Sequence, residues 1–266
     1  MGLKDQLRGI IPDPELHYLS DRFDVIGTVA VLCVPPQLSS YKPVIAHAIL
    51  SRRKNIKTVL NKTSRVEGCN RTAHHEILAG TDTITVHHEY DFAYRLDVGT
   101  VFFNPRLGSE RRRVTGQVQS GEKLLVPCCG VGPFVVPAAA RGAEIVTVEQ
   151  NPEACRWLAE NLKLNRVQNR VTLIQGDAFD SSLLPADLFD RAIIPTPYGM
   201  DAILEVITPR VQRGGMIHFY TLRNRNQADA MIKEFGQKGF EVFTRRRCGN
   251  VAPGVSRWVF DLVKGV

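Results

Sequence analysis

The apolar run LLVPC leads into Cys129-Gly130-Val131-Gly132-Pro133-Phe134, and glycines at 130 and 132 let the backbone turn sharply and approach a ligand where a Cβ would block it. A second apolar run, EIVTVE, ends at Glu149, about 17 residues past Gly132. A carboxylate at a strand's carboxyl end can accept hydrogen bonds from both hydroxyls of a ribose. A third run ends at Gly176-Asp177, from which a carboxylate reaches an adenine amino group, and a fourth ends at Pro195-Thr196-Pro197-Tyr198. Open α/β sheets bind ligands at the carboxyl ends of their strands, and all four features fall there. Three residues after Gly132 stands Val135, not the Gly or small residue that suits a pyrophosphate. The order therefore fits a class I S-adenosylmethionine (SAM) site better than a dinucleotide site. The expected cofactor-binding residues are Cys129, Gly130, Val131, Gly132, Phe134, Glu149, Gln150, Asp177, Ala178 and Pro195.

These residues need a framework of alternating strands and helices, and the chain supplies one. After the charged helix SERRRVTGQVQ come the strand runs LLVPC, EIVTVE, RVTLIQGD, DRAIIPTP, GGMIHFYTL and RWVFDLVK. Between them, PEACRWLAENLKLN carries Ala154, Leu158 and Leu162 on one stripe, and NQADAMIKEFGQKG is a second amphipathic helix. This rhythm predicts an α/β fold, a Rossmann-like doubly wound sheet over 105–266. A small α+β module is expected over 21–104. Its signals are the β-branched run DVIGTVAVLCVP, a helix over Val44–Arg53, a strand over Thr58–Asn61 and the alternating TDTITVHHEYDFAYRLDV. Residues 1–20 read as a polar, Pro-interrupted lead-in.

Composition narrows the class. The chain has 266 residues, 44% of them hydrophobic and 23% charged, which is ordinary for a globular protein. No apolar run approaches the ~18 residues of a spanning helix. The start MGLKDQLRG has no signal-peptide apolar region, and Gln6 stands where myristoylation needs Ser or Thr, so the expected place is cytoplasmic, without a membrane partner. Six cysteines (33, 69, 128, 129, 155 and 248) show no CxxC spacing and read as reduced, mostly buried thiols. His74-His75 and His87-His88 are adjacent pairs, which on a strand point to opposite faces, so no metal is expected. Lys plus Arg exceed Asp plus Glu by 34 to 27, a formal charge of +7. The excess gathers in Arg52-Arg53-Lys54, Arg106, Arg111-Arg112-Arg113, Arg223, Arg225 and Arg245-Arg246-Arg247. Clustering of this kind fits phosphate contacts, with Arg106, Arg112, Arg113, Arg245 and Arg246 the expected RNA-binding set.

The run VFFNPRLGSERRRVTGQVQSGEKLLVPCCGVGPF, with VTVEQNPEACRWLAENLKLN, GDAFD, DRAIIPTP and GGMIHFYTL, resembles the Met-10+ family. These are transfer-RNA guanine-37 N1-methyltransferases and their wybutosine-pathway relatives. FDVIGTVAV, YKPVIAHAIL, KTVLNKTSRVEG and VAPGVSRWVFDL extend the resemblance from about Phe23 onward. It implies a SAM-dependent catalytic domain behind a small RNA-contacting module, acting on a guanine beside a transfer-RNA anticodon. It also implies that one arginine of the Arg106 to Arg113 stretch faces the active site, and Arg111 is the expected one. Three departures stand out. The Asp that usually opens the first motif is absent from VPCCGVGPF, and the usual N-x-P reads Pro195-Thr196-Pro197. A length of 266 residues leaves no room for the extra N-terminal domain of many members.

Methylation at guanine N1 displaces the sulfonium methyl in line, so the protein must hold geometry and manage one proton. Arg111, Pro197 and Tyr198 are the expected catalytic residues; Thr196 or Tyr198 could stand in for the missing Asn, and Tyr198 and Asp201, on the loop after the fourth strand, are the candidate bases. Tyr198, Phe134 and Tyr220 are the aromatics that could stack a splayed base. Two alternatives accompany this expectation. One is an aminocarboxypropyl transferase on a wybutosine precursor; the other is a non-catalytic RNA-binding relative that keeps its SAM pocket.

Overall fold

The β-branched run beginning at Asp24 is broken by Gly27 and folds back on itself as β1 (Asp24–Ile26) and β2 (Val29–Leu32), paired antiparallel. Gly27 holds φ +56°, and a Cβ there would lie 2.2 Å from Thr85 Oγ1 and 2.5 Å from the Val86 carbonyl oxygen. The structure is a computed structural model that describes residues 2–64 and 72–265. Residues 65–68 of KTVLNKTSRVEG, and Cys69, lie outside the described residues. Contacts divide the chain into two units, Met1–Pro105 and Arg106–Val266.

The first unit opens with two short helices, α1 (Leu3–Leu7) and α2 (Asp13–Leu16). Beyond β2, helix α3 (Lys42–Arg52) leads to β3 (Thr58–Lys62), parallel to β2, and β4 (His75–Ala79) completes a sheet of order β1-β2-β3-β4. β5 (Ile84–Glu89) and β6 (Phe92–Asp97) form a separate hairpin. The reading of residues 1–20 as a lead-in is corrected by the core. Leu3, Leu7, Ile11, Leu16 and Leu19 are at most 5% exposed and pack in one cluster with Ile45, Ile49 and Val59. One helical turn separates Leu3 from Leu7, so a mostly polar segment still presents a continuous apolar edge. That four-residue spacing was the signal available in the sequence.

The second unit begins with α4 (Gly108–Thr115) and continues as β7 (Lys123–Pro127), α5 (Val135–Ala140), β8 (Glu144–Glu149), α6 (Pro152–Leu164), β9 (Val171–Gln175) and β10 (Phe189–Ile194). α7 (Ile203–Ile207), β11 (Val211–Arg223), α8 (Arg225–Gln237), β12 (Phe240–Ala252) and β13 (Val255–Lys264) follow. Seven strands form one sheet in the order β12-β13-β11-β10-β7-β8-β9. β7 to β11 run parallel, and β13 is antiparallel to both β11 and β12. Leu124, Leu125 and Val126 on β7 are fully buried, as a central parallel strand covered on both faces requires. Strand order reverses between β7 and β10, which opens a crevice at their carboxyl ends.

Local chemistry sets the helix positions. Asn151 caps α6 by accepting from Glu153 N at 3.0 Å, with Pro152 in the first turn, and Ala154, Leu158 and Leu162 face the core. Asn224 and Gln227 form a capping box on α8, which buries Ala228, Met231 and Phe235. β12 escaped the sequence reading because most of it is exposed edge, and its Arg245-Arg246-Arg247 run reads as charge before it reads as strand. Among the described residues, no helix is long and apolar enough to cross a membrane.

Leu7 is completely buried in the first unit's core. Leu7→Ala should therefore lower unfolding stability by about 2–5 kcal/mol in urea titration, whereas a true lead-in would tolerate it.

Candidate active site

The loop after β7 is a strained turn in which Cys128, Gly130 and Gly132 hold φ +52°, +56° and +91°. A Cβ on Gly132 would sit 2.4 Å from Cδ1 of the buried Leu158, so glycine permits the loop to pack onto α6. Asn161, fully buried on α6, donates to the Val131 carbonyl at 3.1 Å and ties helix to loop. At the end of β8, Glu149 Oε2 accepts from Gly130 N at 2.8 Å and Oε1 from Asn151 N at 2.9 Å. These two bonds orient the carboxylate and leave lone pairs for further donors. Asp177 is exposed after β9, with Ala178 buried beside it. Pro195 and Pro197 are half-buried after β10, Thr196 is buried and donates to the Ile194 carbonyl, and Tyr198 is 67% exposed.

The buried thiols of Cys129 and Cys155 stay protonated. Burial, reinforced by the Glu149 charge, pushes Cys129 well above the usual thiol range and Cys155 up to about 11. Cys155 Sγ donates to the Glu149 carbonyl at 3.3 Å. The cysteines therefore add no second negative charge beside Glu149. A SAM molecule suits this donor set, since the positive-φ turn admits close backbone approach and Glu149 and Asp177 offer carboxylate oxygens to hydroxyl and amino donors.

A second assembly lies under α4. Glu110, 4% exposed, accepts from Arg113 Nε and Nη2 and from the Tyr220 hydroxyl at 3.0 Å. Arg113 reaches on to Asp261, with Nη1 to Oδ2 at 2.6 Å and Nη2 to Oδ1 at 3.1 Å. Asp261 also meets His218 Nδ1 at 2.6 Å, and His218 Nε2 meets Arg191 Nη1 at 2.8 Å. Arg191 closes the chain on Glu122 through two bonds of 3.0 Å. Arginine has only donors, so His218 Nε2 accepts from Arg191 and Nδ1–H donates to Asp261, which fixes a neutral tautomer. Complete burial lowers the His218 pKa, in agreement. Burial alone would raise that of Asp261, but the bonds from His218 and Arg113 outweigh it and hold it at about 2.

The arginines expected to act together are separated by helix geometry. On α4 each residue turns 100° from the last. Arg111 is buried at 2% exposure, Arg112 is exposed, and Arg113 turns to the sheet. The expectation that Arg113 contacts RNA is corrected: its donors are spent on Glu110 and Asp261. Arg106 and Arg246 are exposed, and Arg245 pairs with Asp229 and lies 5.2 Å from the Trp258 ring centroid. Of the aromatics, Phe134 and Tyr220 are buried and pack on each other at 5.5 Å, leaving Tyr198 at the surface. Asp201 is engaged by Arg223. The sequence reading missed Glu110, His218 and Asp261. Glu110 sits inside the quoted PRLGSERRR run, three residues before Arg113, and that i,i+3 spacing was its signal.

The TRM5/TYW2 methyltransferase domain matches residues 85–247, and the TYW2 N-terminal domain matches residues 3–83. The chain is 33% identical over 252 residues to tRNA (guanine(37)-N(1))-methyltransferase Trm5b of Pyrococcus abyssi, covering 91% of this chain and 74% of the relative. The crystal structure of that protein superposes with a TM-score of 0.86 over 96% of this chain and 79% of the other. A complex of aTrm5 with tRNALeu reaches a TM-score of 0.90 at 26% identity, covering 100% and 78%. The tRNA(Phe) (4-demethylwyosine(37)-C(7)) aminocarboxypropyltransferase of Pyrococcus horikoshii is 28% identical over 98% of this chain and 97% of its own length. The structure of P. horikoshii TYW2 with MeSAdo superposes at 0.79, with 26% identity, over 98% of this chain and 97% of that one. Of the Xenopus tropicalis guanine-37 methyltransferase, 34% identical over 71% of this chain, the chain spans 39%.

Glu149→Ala should weaken SAM binding at least tenfold by calorimetry, and unchanged affinity would remove Glu149 from the site. For His218, the folded pKa lies below the ordinary 6.5. Its stabilising contribution is therefore complete above pH 6.5 and falls as pH drops below it, by about 1.4 kcal/mol per pH unit while the folded imidazole stays neutral. Urea titrations between pH 7 and 5 should show a slope one proton shallower in His218→Phe.

Proposed function

The chain belongs to the TRM5/TYW2 methyltransferase family, and from that premise we propose that it transfers the SAM methyl group to N1 of guanine 37, beside the anticodon of a transfer RNA. It is a SAM-dependent transferase with transfer RNA as its substrate class. The observation that carries the methyl reading is the 33% identity over 252 residues to the Pyrococcus abyssi enzyme.

SAM supplies an activated methyl group on sulfur. This chain's residues supply the rest. The turn from Cys129 to Gly132, with Phe134, Glu149, Gln150, Asp177, Ala178 and Pro195, would hold the cofactor at the switch point of the sheet. Arg111 would face guanine O6, where charge builds as N1 loses its proton, and its burial makes that charge act in a low-dielectric setting. Tyr198 and Asp201, on the loop after β10, are the candidates to receive the proton, since Glu149 is bound to the loop and Glu110 to Arg113 and Tyr220. Pro197 would shape the loop after β10, and the exposed Tyr198 ring would stack on the displaced base. Arg106, Arg112 and Arg246 would meet backbone phosphates, while Arg245 is paired with Asp229.

A second reading has its own support. The TYW2 N-terminal domain match over residues 3–83 and the nearly full-length likeness to the Pyrococcus horikoshii enzyme favour aminocarboxypropyl transfer to a wybutosine precursor. Incubation with transfer RNA and SAM labelled in the methyl or the carboxyl group separates the two. Methyl label in RNA is expected; carboxyl label alone supports the second reading, and no label in RNA overturns both. Arg111→Ala should reduce the transfer rate by about 10²–10³ while retaining SAM binding.

A further inference from the structure

The edge of the sheet that carries the cofactor crevice continues past β10 and β11 to the tip of the β12–β13 hairpin. Arg223, ending β11, is in register with Ser256 on β13, and Ala252 with Val255 at the tip. A groove of about 750 Å³ opens there, lined by Arg225, Arg245, Arg247, Asn250, Ser256 and Trp258 among others, with no carboxylate in its lining. Arg245 and Arg247 are two residues apart on β12 and share a face. Arg245 is neutralised by Asp229 and lies over Trp258. Arg225 and Arg247 are both exposed and have no ion pair among the described residues. Neighbouring arginines differ: Arg223 is held by Asp201, and Arg113 by Glu110 and Asp261. Asn250 accepts from the Ser256 hydroxyl through Oδ1, which directs its amide donors elsewhere. The groove thus concentrates donors and two uncompensated positive charges.

We propose that this groove binds the phosphate backbone of the RNA strand flanking the target nucleotide, a contact that rests on the transfer-RNA reading above. Three strand spacings, about 14 Å, separate the end of β10 from Arg245, the β12 residue level with it across the sheet. A strand whose base enters the cofactor crevice therefore passes within reach of the groove. Two guanidinium groups there each neutralise one phosphate, and their counterion release makes the contact visible as salt dependence.

The test compares the full chain with Arg225→Gln/Arg247→Gln, measuring transfer-RNA affinity between 50 and 300 mM salt. The slope of log affinity against log salt should flatten by about 1.5, with SAM affinity unchanged as a check on folding. Arg225→Lys/Arg247→Lys should keep the wild-type slope, because it keeps both charges. An unchanged slope in the glutamine variant overturns the groove assignment. Failure of the wild-type chain to bind transfer RNA overturns the substrate reading instead. A variant that keeps its RNA slope but loses binding to an acidic protein would make the groove a protein-docking site and equally overturn the proposal.

Discussion

The second unit is organised around one partly buried ion pair, the half-buried Arg113 with the buried Asp261. Asp261, 1% exposed, would be an uncompensated buried charge without Arg113. Arg113 brings Glu110 with it, and Glu110 takes the hydroxyl of Tyr220, whose ring packs on Phe134 of the cofactor loop. Asp261 on β13 takes His218 on β11, and His218 takes Arg191 on β10. A single polar chain therefore connects α4, three adjacent strands and the turn after β7. Because α4 also carries Arg111, the position of that buried side chain depends on a contact made two residues further along the same helix.

The cofactor turn uses a different principle. Its charges are few and its backbone is unusual. Three positive φ angles within five residues are stabilised by Glu149, which accepts from Gly130 and Asn151, and by Asn161, which donates to Val131. The family's opening Asp is replaced by apolar and thiol groups, and burial keeps Cys129 protonated. The crevice therefore carries its negative charge at Glu149 and Asp177 and not at the head of the turn.

Much of this was legible in the order of residues. Glycines, an acid about 17 residues later and strand ends in sequence place the crevice, because that geometry is local and periodic. Two things were not legible. The same triplet of arginines means different things on different elements. On α4 the helical step sends one into the core, one to solvent and one to Asp261. On β12 alternation sets Arg246 opposite Arg245 and Arg247. Pairing with residues some 150 positions away is equally invisible to pattern, so Asp261 reads as an ordinary polar residue in a closing strand. The short helices at the start were hidden by their polar majority, although five apolar side chains suffice to seal that core.

The position of β13 has a consequence for how the molecule is made. It follows β12 in the chain yet lies between β11 and β12, so the sheet cannot be completed strand by strand as the polypeptide leaves the ribosome. During synthesis α4, β10 and β11 emerge well before Asp261. Until then Arg113 and His218 lack their Asp261 partner. Insertion of one late strand completes the open seven-stranded sheet of the second unit.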